Sequence, residues 1–120
     1  MENMDIIQIQ TAIKSRNLID KLHWAEKRNL KNDYIFLIRN QMHIKKLKKA
    51  SYNSRYKLGI YSYRKRLLDP DNLVGGCKQL IDALCDEGFI YDDNPKCVVL
   101  DIDQYKLTQN FTIITRKCIL

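Results

Sequence analysis

Between Leu67 and Asp93 the chain reads Leu-Leu-Asp-Pro-Asp-Asn-Leu-Val-Gly-Gly-Cys-Lys-Gln-Leu-Ile-Asp-Ala-Leu-Cys-Asp-Glu-Gly-Phe-Ile-Tyr-Asp-Asp, and no other stretch limits the fold as strongly. Advancing about 100° per residue from Asp71 places Leu73, Cys77, Leu80 and Leu84 between about 180° and 240°, while Lys78 and Asp82 fall within about 20° of Asp71. The run therefore predicts a helix from Asn72 to Glu87 with one apolar stripe for the core and an opposite face carrying Asp71, Lys78 and Asp82. Asn72 suits its N-cap, and Gly88 stands where a C-terminal cap glycine belongs. Pro70 fixes its own φ and biases Asp69 toward extended backbone, so Asp69 and Asp71 are expected in strand-like chain. Residues i and i+2 of a strand point to one face, which aims both carboxylates the same way. Carboxylates so close raise one another's pKa, and a divalent cation with oxygen ligands relieves the repulsion.

Asp92 and Asp93 follow the helix after a short loop. A helix of that length spans about 24 Å, and six extended residues return about 20 Å. Asp93 approaches Asp69 and Asp71 only if the chain doubles straight back, or if the helix begins later, near Gly76, which the Gly75-Gly76 pair permits.

The rest of the chain supplies a sheet and a second helix. Met4 to Ala12 alternates loosely and predicts a first strand, and polar Lys14 to Lys21 predicts a loop. His23-Trp24 opens a helix to about Lys46, with a core stripe of Leu30, Tyr34, Leu37, Ile38 and Met42. Trp24 is expected in the core and His23 at the surface or beside the site; stacking of the two on an exposed base is the competing reading. Arg55 to Arg66 alternates and predicts a strand leading straight into the acidic motif. Beyond Pro95, Cys97 to Ile102 and Lys106 to Cys118 predict two strands of an antiparallel pair, turning around Asp103-Gln104. The order β-α-β-α-β-β defines an α+β domain with a mixed or antiparallel sheet packed by two main helices. With 120 residues and no linker-like or repeated segment, one domain is expected over residues 1–120.

Charge is divided unevenly. Residues 1–66 hold 16 Lys and Arg against 5 Asp and Glu; residues 67–120 hold 5 against 9. A basic surface beside an acidic site suits a partner made of phosphates. Lys27, Arg28 and Lys31 on the long helix, and Arg64-Lys65-Arg66 just before Asp69, are the expected nucleic-acid contacts. A solvated helix back is the plainer reading of the first three. The chain has no apolar run long enough to span a bilayer and no basic-then-apolar leader, so a cytoplasmic protein without membrane contact is expected. Cys77, Cys85, Cys97 and Cys118 form no CxxC pair, and with only His23 and His43 beside them they read as reduced thiols rather than zinc ligands.

Asp-x-Asp-Asn, then Lys-x3-Asp-Ala-Leu-x3-Gly, then Asp-Asp resembles the RusA family of Holliday junction resolvases. These are small phage and prophage endonucleases that cut four-way DNA junctions with magnesium. The likeness covers Arg64 to Asp93, and more loosely His23-Trp24-Ala25 and the basic helix after it. It departs at Val74-Gly75-Gly76, where this chain carries about three extra residues, so Lys78 is anchored by its place four residues before Asp82. The resemblance implies catalytic roles for Asp69, Asp71, Asp93 and Lys78. It also implies Mg²⁺ (or Mn²⁺) held by Asp69, Asp71 and Asp93, with Asp82 as an outer or additional ligand. Two such ions about 4 Å apart can activate a water, neutralise the phosphate and stabilise the leaving oxygen. Lys78, a compact point charge, would meet the scissile phosphate. The family implies a homodimer acting on branched DNA, and no small-molecule cofactor is expected.

Other chemistries fit less well. An EF-hand loop requires oxygen and then glycine where this chain has Leu73 and Val74. No P-loop and no Ser/His/Asp set is present. The alternative from another class is a non-catalytic basic DNA-binding protein, of the same phage or prophage origin, whose acids only cap and solvate a helix.

Overall fold

The computed structural model describes residues 4–119. Its elements run β1 (Met4–Ile9), α1 (Arg16–Asp20), α2 (Trp24–Ile44), β2 (Tyr56–Arg64), α3 (Pro70–Gly76), α4 (Lys78–Asp86), β3 (Val98–Lys106) and β4 (Phe111–Cys118). The strands form one mixed sheet in the order β1-β4-β2-β3. β4 runs antiparallel to both β1 and β2, and β3 runs parallel to β2. This is a small α+β domain, as the pattern of elements predicts.

The two C-terminal strands do not pair with each other, contrary to the expected hairpin. β2, the α3–α4 crossover and β3 make a βαβ unit, which returns the chain parallel to its starting strand. The chain then passes over the end of β2 and enters β4 between β1 and β2. The turn falls at residues 107–110 rather than at Asp103-Gln104. Gln104 is held in the strand because its side-chain amide accepts from the Leu68 N–H at 2.9 Å and donates to the Leu68 carbonyl at 2.6 Å. Asn110 fastens the crossing by accepting from the Lys65 N–H at 3.0 Å.

α2 begins where the sequence places it. His23 is its N-cap: Nδ1 accepts from the Ala25 N–H, and Glu26 reaches back to the His23 N–H. Leu30, Tyr34, Ile38 and Met42 are buried, with Leu37 packed at the margin. Leu58 and Ile60 of β2, Ile7 and Ile9 of β1, and Ile114 of β4 meet this stripe and that of α4. Trp24 is a correction: it is 63% exposed, held under the Arg28 guanidinium at 4.9 Å rather than in the core. At the first helical position it lies six residues, more than one and a half turns, before the stripe that starts at Leu30.

The segment expected as a loop contains α1, one short turn of helix capped by Ser15, whose hydroxyl accepts from the Leu18 N–H. The single helix expected from Asn72 to Glu87 is two. Proline at the first helical position is pre-organised for helix, so α3 starts at Pro70 with Asp69 as the residue before it. Asp71 is therefore helical, not extended, and Asn72 is not an N-cap. α3 ends and α4 begins around Cys77, whose N–H bonds to Val74 O while its own carbonyl accepts from Ile81. The Gly75-Gly76 pair explains the break. A Cβ on Gly76 would collide with the Lys14 carbonyl, so only glycine lets α3 press against the chain entering α1. The inward stripe survives the break, with Leu73, Cys77, Leu80 and Leu84 all buried. α4 stops as the sequence predicts, at Gly88 with φ 78°. The Phe89 N–H returns to Leu84 O and the Gly88 N–H to Cys85 O, which satisfies the last carbonyls.

Candidate functional site

α1, α2, α3, α4 and the loop carrying Asp93 enclose a cleft of about 540 Å³. Arg16 and Asp20 enter it from α1, Lys27 from α2, Val74 and Gly75 from the end of α3, Lys78, Gln79 and Asp82 from α4, and Asp93 from the following loop. Four of the residues singled out in the sequence, Lys27, Lys78, Asp82 and Asp93, thus share one concavity. Lys78 and Asp82 are one helical turn apart on α4, which accounts for their common side. Arg16 and Asp20 bridge each other at 3.6 Å on the rim.

Asp69 and Asp71 are not among the lining residues. Both are exposed at the N-terminal end of α3, whereas the cleft takes the C-terminal end of that helix. Asp69 precedes the helix with φ −58° and ψ 143° while Asp71 is inside its first turn, so the strand argument that aimed both carboxylates one way does not apply. Among the described residues, no three His, Cys, Asp or Glu side chains are gathered to hold a metal ion. A four-acid cage is not assembled here. Mg²⁺, however, commonly takes one or two protein carboxylates and completes its shell with water and substrate phosphate. The pair Asp82 and Asp93 fits that pattern.

The Asp92-Asp93 pair is divided by its hydrogen bonds. Asp92 accepts from the Asp93 N–H at 2.7 Å and from the Asn94 amide at 2.9 Å, and these bonds hold its carboxyl below the usual carboxylate range. Asp92 therefore shapes the turn, which leaves Asp93 to face the cleft. Beside them, burial pushes the half-buried Cys85 thiol up to about 12, helped by the negative charge of Asp93, Asp92, Asp82 and Asp86. A thiol so placed stays protonated and is no nucleophile.

The expected phosphate contacts divide as well. Lys31 bridges Asp86 at 2.9 Å; that hydrogen bond raises its pKa. Arg28 lies on Trp24, and Lys27 lines the cleft. Arg64 is half-buried and spends its guanidinium on the carbonyls of Ile13 and Arg66, each at 2.6 Å. Desolvation lowers its pKa. It ties β2 to the chain before α1, and only Lys65 and Arg66 of that triplet are exposed.

Sequence reasoning missed Arg16, Asp20 and Gln79. The signal for the first two was Ser15, an N-cap residue ahead of a five-residue helix too short to show a period. Gln79 Oε1 is buried and has no hydrogen-bond partner among the described residues. It is an acceptor on the cleft wall that a ligand or water can satisfy.

No protein-family model matches this chain, and a search of curated proteins finds no match. Among the described residues, no helix is long and apolar enough to cross a membrane.

Proposed function

We propose that this protein is a Mg²⁺-dependent, structure-specific endodeoxyribonuclease that resolves four-way DNA junctions, working as a homodimer that makes paired symmetric nicks. The observation that carries the reading is the cleft in which Lys27 and Lys78 stand with Asp82 and Asp93. Phosphodiester hydrolysis needs cations for the phosphate and carboxylates for a metal in one place, and here both are supplied by neighbouring elements. When bound, Mg²⁺ supplies an activated water and neutralises charge developing at phosphorus. Asp82 and Asp93 would hold it. Lys78 would meet the scissile phosphate as a point charge, and Lys27 an adjoining one. Gln79 offers its unpartnered Oε1 to orient a water. Asp69 and Asp71 enter this reading through the family resemblance, at the mouth of α3.

One observation favours the second reading, a non-catalytic basic DNA-binding protein. Asp69 and Asp71 stand apart from Asp82 and Asp93, at a helix N-terminus where carboxylates are favourable without any metal. The discriminating experiment incubates pure protein with a synthetic four-way junction or a linear duplex, in Mg²⁺ or in chelator. Nicking confined to the junction and lost in chelator supports the nuclease. Equal junction binding in both buffers with no product overturns it in favour of the binding protein.

A further inference from the structure

The sheet has two edges, and the fold treats them differently. On β1, the Ile6 carbonyl accepts from Lys45 Nζ at 2.6 Å and the Gln8 N–H donates to Gln41 Oε1 at 3.1 Å. Gln41 lies in α2 and Lys45 is its C-terminal cap, so the end of that helix covers part of this edge. On β3, the bond from the Tyr56 N–H to Cys97 O and that from the Leu107 N–H to Arg64 O bracket the parallel ladder. This phase turns the backbone groups of Val99, Asp101, Asp103 and Tyr105 toward β2, and those of Leu100 and Ile102 away from it. The Val98 N–H is taken by Asn94 O and the Gln104 N–H by the Asp103 carboxylate. The backbone of Leu100 and Ile102 is left as a free template in the middle of a nine-residue strand. β3 has no proline and no lysine before Lys106, so the charges of Asp101 and Asp103 are what guard this edge. Val99 and Leu100 are 38% and 46% exposed.

Charge decides what can pair there. Asp101 and Asp103 alternate on the helix-free face of the sheet, Asp101 steadied by the Tyr61 hydroxyl at 2.7 Å and Asp103 by its own turn to the Gln104 N–H at 2.8 Å. If two copies paired antiparallel about Ile102, each Asp101 would face an Asp103 of the other copy, gathering four carboxylates. Like charges directly opposite destabilise a strand pair. The same acids repel a phosphate backbone. A strand with cations at two alternate positions meets the opposite situation, because its side chains fall beside Asp101 and Asp103 while its backbone bonds to Leu100 and Ile102.

We propose that the β3 edge docks an extended segment of another protein, carrying Lys or Arg at positions i and i+2, by strand addition. This inference is independent of the nuclease reading.

The test uses the full chain and a fluorescein-labelled peptide, Thr-Val-Lys-Val-Lys-Val-Thr, followed by anisotropy and by amide hydrogen exchange. The expected result is saturable binding, with slowed exchange at Leu100 and Ile102. A peptide with both lysines changed to Glu should bind at least roughly fivefold more weakly, since two cross-strand attractions become repulsions. Asp103→Lys should abolish that preference, since either peptide then meets one attraction and one repulsion. Leu100→Pro removes an outward N–H without taking a ladder bond and should abolish binding. If Leu100→Pro does not fold, Asp103→Lys carries the test alone. Equal binding of the lysine and glutamate peptides, no binding, or no protection at Leu100 and Ile102 would each overturn the proposal. So would self-association of the protein that disappears in Leu100→Pro, since the edge would then belong to a second copy.

Discussion

At the residue scale, the two halves of the Asp92-Asp93 pair have separate tasks. Asp92 is occupied with the backbone and amide of its own turn, and Asp93 opens on the cleft. Asp93→Asn is expected to abolish junction cleavage while binding persists or tightens, because negative charge beside DNA is removed. Asp92→Asn should leave cleavage largely intact. A wild-type cleavage rate in Asp93→Asn would remove that carboxylate from the site. The same assay divides the remaining acids. Asp82→Asn should behave like Asp93→Asn, and the family resemblance requires the same of Asp69→Asn and Asp71→Asn. Full activity in the latter two, with loss in Asp82→Asn, would put the chemistry wholly within the cleft. Lys78 is the least replaceable cation there, since it stands one turn from Asp82 on the same helix.

At the scale of elements, the site depends on a helix broken at a glycine pair. Gly76→Ala places a methyl group against the Lys14 carbonyl. Such overpacking costs roughly 1–3 kcal/mol, so the midpoint of urea unfolding should fall with little change in slope. An unchanged midpoint would mean that α1 and α3 separate without cost. α2 carries a different prediction. If its basic face lies along DNA, reversing Lys27, Arg28 and Lys31 to Glu together should flatten the dependence of affinity on salt, because fewer counterions are released. The reversal breaks the Lys31–Asp86 bridge, but a partly exposed ion pair contributes only about 0–1 kcal/mol, so the fold should survive. An unaltered salt slope would make this face of α2 a solvated back and move the DNA elsewhere.

For the whole molecule, stability and assembly are both testable. Burial pushes Cys77, Cys85 and Tyr34 up to about 12, from ordinary values of 9 for the thiols and 10 for the phenol. In each the folded state holds its proton more tightly than the unfolded chain. The stabilisation is complete below the ordinary values and is lost as pH rises toward 12. Melting temperature should therefore hold level from neutral pH to about 9 and fall steadily above it, with Cys77→Ser softening the fall. A level profile through pH 11 would contradict the burial assigned to these groups. The proposed resolvase also needs two sites, since one cleft makes one nick at a time and paired nicks call for two-fold symmetry. Light scattering at micromolar concentration should give about twice the 14.2 kDa chain mass. A strict monomer that cuts both strands in one encounter would refute the dimer.

The sequence by itself determined what depends on neighbours a few residues away. The inward stripes of α2 and of the α3–α4 run follow from a period of 3.6 residues, the opening of α2 was legible at His23-Trp24, and the stop at Gly88 follows from a left-handed glycine. The alternation of β2 marked a strand for the same reason, and the meeting of Lys78 with Asp82 needed only one helical turn. Tertiary structure decided the rest. Strand neighbours depend on contacts far apart in the chain, so β4 entered between β1 and β2, and β3 joined β2 in parallel, although adjacent runs suggested a hairpin. Pro70 was compatible with either a strand end or a helix start, and packing of α3 against the chain before α1 selected the helix. That choice carried Asp71 away from the direction a strand would have given it. It left Asp82 and Asp93, rather than Asp69 and Asp71, in the company of Lys27 and Lys78, because only the packed helices determine which side chains line one cleft.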